Sequence, residues 1–258
     1  MSEVLYSSGG GVGALVINRP DRRNALDSAV LALLRARLRE AVDDPGVRVI
    51  TLTGTGDRVF CAGADLKASA PRVDEPGRHF GRGDFHQLLL ELYGCPKPTV
   101  ALARGHVLAG GMGLVLACDL ALACDDVHFS TPEVHVGMFP MMVMALLFRC
   151  VGRRTGIELL LLGERLSARE ARDCGIVNRI FPRTSFEAAV AEYVAQLAAK
   201  SGEILRRGKA AMRAVEGLTL AEQLDHLEDA LARLMATDDS REGIRAFVEK
   251  RAPLWKNS

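Results

Sequence analysis

No two of the six cysteines, Cys61, Cys95, Cys118, Cys124, Cys150 and Cys174, stand in a C-x-x-C pair. Structural metal sites usually draw thiolates from such close pairs, and disulfide frameworks belong to short secreted chains. With both set aside, the cysteines read as small buried residues in a reducing compartment. Aromatic residues are also scarce, at 5% with one tryptophan, and the net charge is only +1. A nucleic-acid surface needs a concentrated positive field and stacking platforms, so that class is excluded. Long apolar runs are missing as well. The most apolar stretch, residues 107–123, carries Asp119 and three glycines and is too interrupted to span a membrane. The opening M-S-E-V-L-Y-S-S-G-G-G has no basic segment leading into an apolar one, so a cytoplasmic location is expected.

What is present is an ordinary globular balance: 258 residues, 48% hydrophobic and 25% charged. That suits one large core with a small appendage. Glycines 9–13 sit between apolar residues 4–6 and 14–17 and predict a hairpin turn. No Lys-Ser/Thr follows them, which excludes a phosphate loop. Asp27 is placed to cap a helix reaching about residue 42, with Leu31, Leu34, Leu38 and Val42 on one face. Residues 47–53 form a nearly continuous apolar run, the pattern of a strand buried on both faces of a parallel sheet. Residues 54–67 form a loop in which small side chains precede Asp65. Residues 68–83 are rich in Pro, Gly and charge and predict a mobile surface loop. A short amphipathic helix follows over residues 85–93.

The organising stretch is residues 96–133, P-K-P-T-V-A-L-A-R-G-H-V-L-A-G-G-M-G-L-V-L-A-C-D-L-A-L-A-C-D-D-V-H-F-S-T-P-E. Residues 99–103 predict a buried strand. Gly105, Gly110, Gly111 and Gly113 predict a turn, and 114–118 a helix. A strand running through glycines into a helix start leaves backbone N–H groups free, and the helix dipole adds partial positive charge. Such a corner can hold an anion or a carbonyl oxygen gaining charge. A second strand, 120–123, leads on to a loop whose T-P-E end carries the carboxylate of Glu133.

Beyond Glu133, Met138, Met141, Met142 and Met144 either line an adaptable apolar pocket or fill helix core. Residues 154–162 predict a helix, Ser167 to Glu170 a capping box, and 175–181 a strand. Four helices follow, over 188–200, 202–216, 220–237 and 240–251. Alternating strands and helices imply right-handed parallel winding. The helical tail cannot bury its faces alone and must pack on the core or on another subunit.

These residues resemble the crotonase, or enoyl-CoA hydratase/isomerase, superfamily over nearly the whole chain. The resemblance rests on N-R-P at 18–20, F-C-A-G-A-D-L-K at 60–67, K-P-T-V-A-L-A-R-G-H-V-L-A-G-G at 97–111, A-C-D-L-A-L-A at 117–123 and T-P-E at 131–133. L-S-A-R-E-A-R-D-C-G-I-V-N-R-I at 166–180 and A-T-D-D-S-R-E-G-I-R-A-F-V-E-K-R at 236–251 complete it. The resemblance implies an α/β spiral of β-β-α repeats, residues 1–196, carrying the CoA and active sites. Residues 197–258 would form a helical C-terminal region that builds trimers or dimers of trimers. It implies acyl-CoA thioester substrates and an enolate held by the backbone N–H groups of Ala64 and Gly110. Coenzyme A is then part of the substrate, and no metal or other cofactor is implied. CoA contacts would fall on Arg22, Ala25, Leu26, Ala62, Asp65, Leu66, Phe247 and Lys250.

One departure matters. Two-glutamate hydratases of the family place carboxylates at positions matching 113 and 133; here these are Gly113 and Glu133. A water could sit beside Gly113, held less firmly than between two carboxylates. The resemblance thus implies a hydratase-like enzyme of fatty acid metabolism, with a single-glutamate double-bond isomerase as the alternative and a non-catalytic acyl-CoA binder as a third reading. His135 either substitutes for the lost carboxylate or is a hydrogen-bonded structural histidine. Asp119 reads as structural.

Overall fold

The computed structural model describes residues 2–66 and 82–256. The glycine cluster turns a hairpin as expected: β1 (Val4–Gly9) pairs antiparallel with β2 (Val12–Ile17), Gly9 opposite Val12. Gly10 and Gly11 have φ of +60° and +85°, the two positive angles that a turn matching strand twist demands. Asp27 caps α1 (Ser28–Asp43), its carboxylate accepting from the Val30 N–H at 3.0 Å. Val30, Leu31, Leu34, Leu38 and Ala41 are the buried face of α1.

The chain then repeats a three-part unit. A strand enters a first sheet, a short strand enters a second sheet, and a helix covers the pair. The first unit is β3 (Val49–Gly54), β4 (Val59–Cys61) and α2 (Arg82–Tyr93). The next is β5 (Thr99–Ala103), β6 (His106–Leu108) and α3 (Gly110–Ala117). Then come β7 (Leu120–Cys124), β8 (His128–Ser130), a 3-10 turn at Pro132–Val136, and α4 (Met141–Cys150) with α5 (Arg153–Leu162). Next are β9 (Arg165–Ser167), α6 (Ala168–Asp173) and β10 (Arg179–Phe181). The first sheet has the order β1-β2-β3-β5-β7-β10, parallel from β2 onward. The second is β4-β6-β8-β9, with only β9 antiparallel. This is the expected spiral of β-β-α repeats.

The second sheet was not legible as strands. Its members are three residues long, too short for a period to emerge, and they fall where loops and turns were expected. The expected helix start at residue 114 moves to Gly110, and the expected strand from 175 shrinks to Arg179–Phe181. In the second case Gly175, at φ +97°, donates to Arg172 O, while Ile176 and Val177 N–H both donate to Ala171 O. Those residues close the end of α6 instead of extending a sheet. The loop expected over residues 68–83 lies outside the described residues up to residue 81; residues 82 and 83 belong to α2.

The remaining helices are α7 (Phe186–Ala198), α8 (Gly202–Ala214), α9 (Leu220–Met235) and α10 (Asp238–Val248). Phe186, Val190, Val194 and Ala198 bury α7 in the core. Asp119 is structural, as read, although its partner is in the tail. Its carboxylate accepts from Thr99 N and Oγ1 at 2.7 and 2.9 Å and from the buried Lys209 ammonium of α8. Lys209 also donates to Lys97 O at 2.8 Å. By contrast α9 buries no residue, and Leu220, Leu224, Leu227, Leu231 and Met235 are all exposed on it. Met141 and Met142 also lie exposed, so they are not core of this chain. All six cysteines are free, and burial pushes the Cys61 and Cys118 thiols up to about 12. No described helix is long and apolar enough to cross a membrane.

Candidate active site

Two backbone segments meet where β4 and β6 leave the second sheet. The first, residues 62–65, is sewn to the early loop. Ala62 N–H donates to Arg23 O at 3.1 Å, Leu26 N–H to Gly63 O at 2.7 Å, and Asp65 N–H to Leu26 O at 2.8 Å. This leaves a one-residue parallel bridge between Leu26 and Ala64. The Ala64 N–H has no acceptor among the described residues, and Ala64 is exposed. Asn24, buried and at φ +53°, holds the loop's far side by donating to Val59 O and Thr55 O.

The second segment is the turn before α3. Gly110 is the first residue of that helix, so its N–H is one of the orphan donors of a helix start and has no acceptor among the described residues. The two segments touch at glycine. Gly63 has φ +81°, and a methyl built on it would lie 2.7 Å from Ala109 Cβ and 2.8 Å from the Gly110 nitrogen. Ala109 itself has φ +50° and ψ −126°, the first corner of a type II′ turn and a conformation normally left to glycine. Such a conformation costs about 1–3 kcal/mol and persists only where surroundings impose it. Here Ala109 N–H donates to Ser130 O and Met112 N–H to Ala109 O, both at 2.9 Å.

Close packing also explains why α3 begins among glycines. A methyl on Gly111 would stand 2.5 Å from Cys61 O. At Gly113 the three nearest atoms to such a methyl are Phe85 Cζ at 3.2 Å, Val143 Cγ2 at 3.4 Å and Leu89 Cδ2 at 3.5 Å. Tertiary approach therefore overrides the poor helix propensity of glycine. These three nearest atoms are all carbon, so none of them would hold the water expected beside Gly113. Phe85 also faces Gly110, at 3.4 Å from its would-be Cβ. Sequence reading passed over Phe85, Leu89, Val143 and Ala109, because each looks like any other apolar position of its element.

Glu133 sits in the 3-10 turn Pro132–Val136, three residues past the Ser130 carbonyl that fixes Ala109. The turn is tied down on both sides. Thr131 Oγ1 donates to Leu159 O and Ser130 Oγ to Gly163 O, each at 2.9 Å, and Met138 N–H donates to Glu133 O at 3.0 Å. The Glu133 side chain is half-buried, and its Oε2 is buried with no hydrogen-bond partner among the described residues. Burial raises its pKa above the usual carboxylate range, its own backbone N–H partly offsetting this. A half-buried carboxylate of raised basicity, with one oxygen unpartnered among the described residues, suits proton transfer. His135 is exposed and turned to another neighbour: its Nε2 lies 3.0 Å from a methyl built on Gly163, the residue closing α5.

The residues expected at the CoA end divide into two groups. Arg22 ends the 3-10 turn Pro20–Arg22, and its Nη1 donates to Asp65 at 2.9 Å while its side chain stays 57% exposed. Asp65 is buried and is also paired with buried Arg19 at 3.4 Å, so it fixes Arg22 from behind. Ala25 and Leu26 are buried and Ala62 is half-buried, so their side chains offer little accessible surface, while Leu66 is exposed. Phe247 and Lys250 lie far along the chain at the end of α10, with Phe247 84% exposed. Neither makes a hydrogen bond or ion pair to the 62–66 segment among the described residues.

A family model described as enoyl-CoA hydratase/isomerase matches residues 7–258. The chain belongs to the enoyl-CoA hydratase/isomerase family. An enoyl-CoA hydratase homologue of Thermus thermophilus is 40% identical over 252 residues, covering 95% of this chain and 97% of its own length. The 2,3-dehydroadipyl-CoA hydratase of Escherichia coli is 34% identical, covering 99% of each chain. A crystal structure of an enoyl-CoA hydratase from Bacillus anthracis superimposes with a TM-score of 0.94 at 29% identity, over 100% of both chains.

Proposed function

We propose that this chain is an enzyme acting on enoyl-CoA thioesters, with an enolate held by the Ala64 and Gly110 N–H groups and Glu133 as its acid–base. The observation that carries the reading is the pair of amides without acceptors among the described residues, gathered at the Gly63–Gly110 contact, with Glu133, whose Oε2 has no partner among the described residues, on the turn anchored next to Ser130. The reaction we favour is reversible hydration of a 2-enoyl thioester. Glu133 takes a proton from water as its oxygen bonds to Cβ, the π electrons move onto the thioester oxygen, and the protonated Glu133 returns that proton to Cα. Two donors aimed at the developing oxyanion supply the stabilisation. One carboxylate then serves at both stages.

The carbon surroundings of Gly113 favour a second reading. With no second carboxylate to hold water, Glu133 would remove a proton from C2 of a 3-enoyl thioester and return it at C4, moving the double bond without adding mass. Arg22, set by Asp65, with the backbone of Ala25, Leu26 and Ala62 and the side chain of Leu66, would receive the CoA portion, and Phe247 and Lys250 would complete it. No metal or further cofactor enters the scheme. Residues 197–258 would mediate self-association into trimers or dimers of trimers, covering the apolar stripe of α9, in the cytoplasm. A panel of 2-enoyl- and 3-enoyl-CoA thioesters followed by mass and ultraviolet absorbance separates the readings. Hydration adds the mass of water and isomerisation leaves mass unchanged. Turnover of no thioester would overturn both and leave a non-catalytic binder.

A further inference from the structure

We infer that Ala109 is a positioning residue: its methyl group sets the gap between the two amides of the proposed oxyanion site. This rests on the reading of Ala64 and Gly110 given above. At φ +50° and ψ −126°, position 109 is one where glycine would sit without strain. The chain nevertheless carries a side chain there. What that side chain touches accounts for it. The Gly63 backbone is the neighbour, so near that a methyl on 63 would come within 2.7 Å of Ala109 Cβ. The two positions are complementary: one has a methyl, and the other has the space that receives it. Gly63 is directly followed by Ala64, and Ala109 by Gly110, so the atoms in contact lie one peptide from each donor.

The backbone bonds that hold Ala109 do not depend on its side chain. Its N–H donates to Ser130 O and its carbonyl accepts from Met112 N–H. Replacing it with glycine therefore keeps the turn, relieves the positive φ and removes only the spacer. The 62–64 segment can then settle toward α3, and the two donors no longer converge on one oxygen. A small misplacement of this kind is enough to lower a rate by about tenfold to a hundredfold. A purely structural role predicts the same gain or retention of stability but unchanged chemistry, so the chemical readout separates the two.

The probe is acetoacetyl-CoA, whose enolate form absorbs in the ultraviolet. Purified wild-type protein and Ala109→Gly are titrated with it, the enolate band giving the ratio of bound enolate to keto form and calorimetry giving total binding. Melting temperature is measured on both. The expected result is a melting temperature at or above that of wild type, total binding changed less than about threefold, and an enolate ratio lowered about tenfold or more. An Ala109→Gly protein that keeps the wild-type enolate ratio overturns this inference alone. If wild type binds the probe without an enolate band, the oxyanion reading itself falls and takes this inference with it. Ala109→Ser, which retains a Cβ, should keep the wild-type enolate ratio; loss there as large as in Ala109→Gly would also overturn the assignment.

Discussion

Gly63 and Gly110 approach so closely that a single added methyl on Gly63 would stand 2.8 Å from the Gly110 nitrogen. With the Ala109 methyl already there, no second methyl fits between the segments carrying the two unpaired amides. Gly63→Ala would force them apart and also place alanine at φ +81°. We expect a loss of about 2 kcal/mol or more in stability. Activity per folded molecule should fall by about a hundredfold or more, read by turnover of the active thioester and by chemical denaturation.

Glu133→Gln keeps the shape of the turn and removes the proton carrier. Turnover should drop by about a hundredfold to ten-thousandfold; retention of full activity would remove Glu133 from the mechanism. Stability should respond in the other direction. Burial raises the Glu133 pKa, so the folded state binds the proton more tightly than the unfolded chain. The stability this contributes is complete below the unfolded pKa and is lost as pH rises through the folded one. The glutamine variant should therefore melt above wild type at neutral pH, with the difference shrinking toward the ordinary carboxylate range. In wild type, turnover that needs the ionised base should fall as pH drops through that raised pKa.

Restoring a carboxylate at the vacant position should not produce a two-glutamate enzyme. Gly113→Glu meets Phe85, Val143 and Leu89 in a buried position. The three atoms nearest its Cβ are carbon, and a cost of about 2–4 kcal/mol is expected for seating a carboxylate in a buried position. The measurement is a urea midpoint alongside the thioester panel. A stable variant with faster hydration would show that the carbon shell is not the reason the carboxylate is missing.

Lys209→Met tests how the helical tail is joined to the sheet. It strips Asp119 of its ammonium partner and leaves Lys97 O without that donor. Breaking a dry ion pair from one side costs about 3–5 kcal/mol; the Asp119 side chain keeps 30% of its exposure, which lowers the expectation to about 2–3 kcal/mol. Thermal and urea unfolding read it directly, and activity per folded molecule should change little.

The stripe on α9 predicts self-association. Leu224→Glu with Leu231→Glu places two charges on an exposed apolar face and should shift the protein toward monomer in sedimentation velocity without unfolding it. A wild type that sediments as a monomer at all concentrations would exclude this role for the face.

The elements with a clear period or an end signal were legible in advance: the hairpin glycines, the Asp27 cap and apolar stripe of α1, the buried strand Thr99–Ala103, the Ser167–Glu170 capping box and the amphipathic tail. Local chemistry governs each of these, through side-chain spacing, turn angles and orphan N–H groups. The order of Gly110, Gly113 and Glu133 along the chain was also legible, as a fact of sequence. Tertiary structure decided the rest. Three-residue strands gain their hydrogen bonds only from neighbours far along the chain, so β4, β6, β8 and β9 carry no period of their own. The start of α3 carries glycine where Cys61 O leaves no room for a side chain at 111, a contact between distant segments. The carbon atoms nearest Gly113, the strained angle at Ala109 and the unpartnered Oε2 of Glu133 arise the same way. They depend on what packing brings alongside, and composition and spacing do not encode that residue by residue.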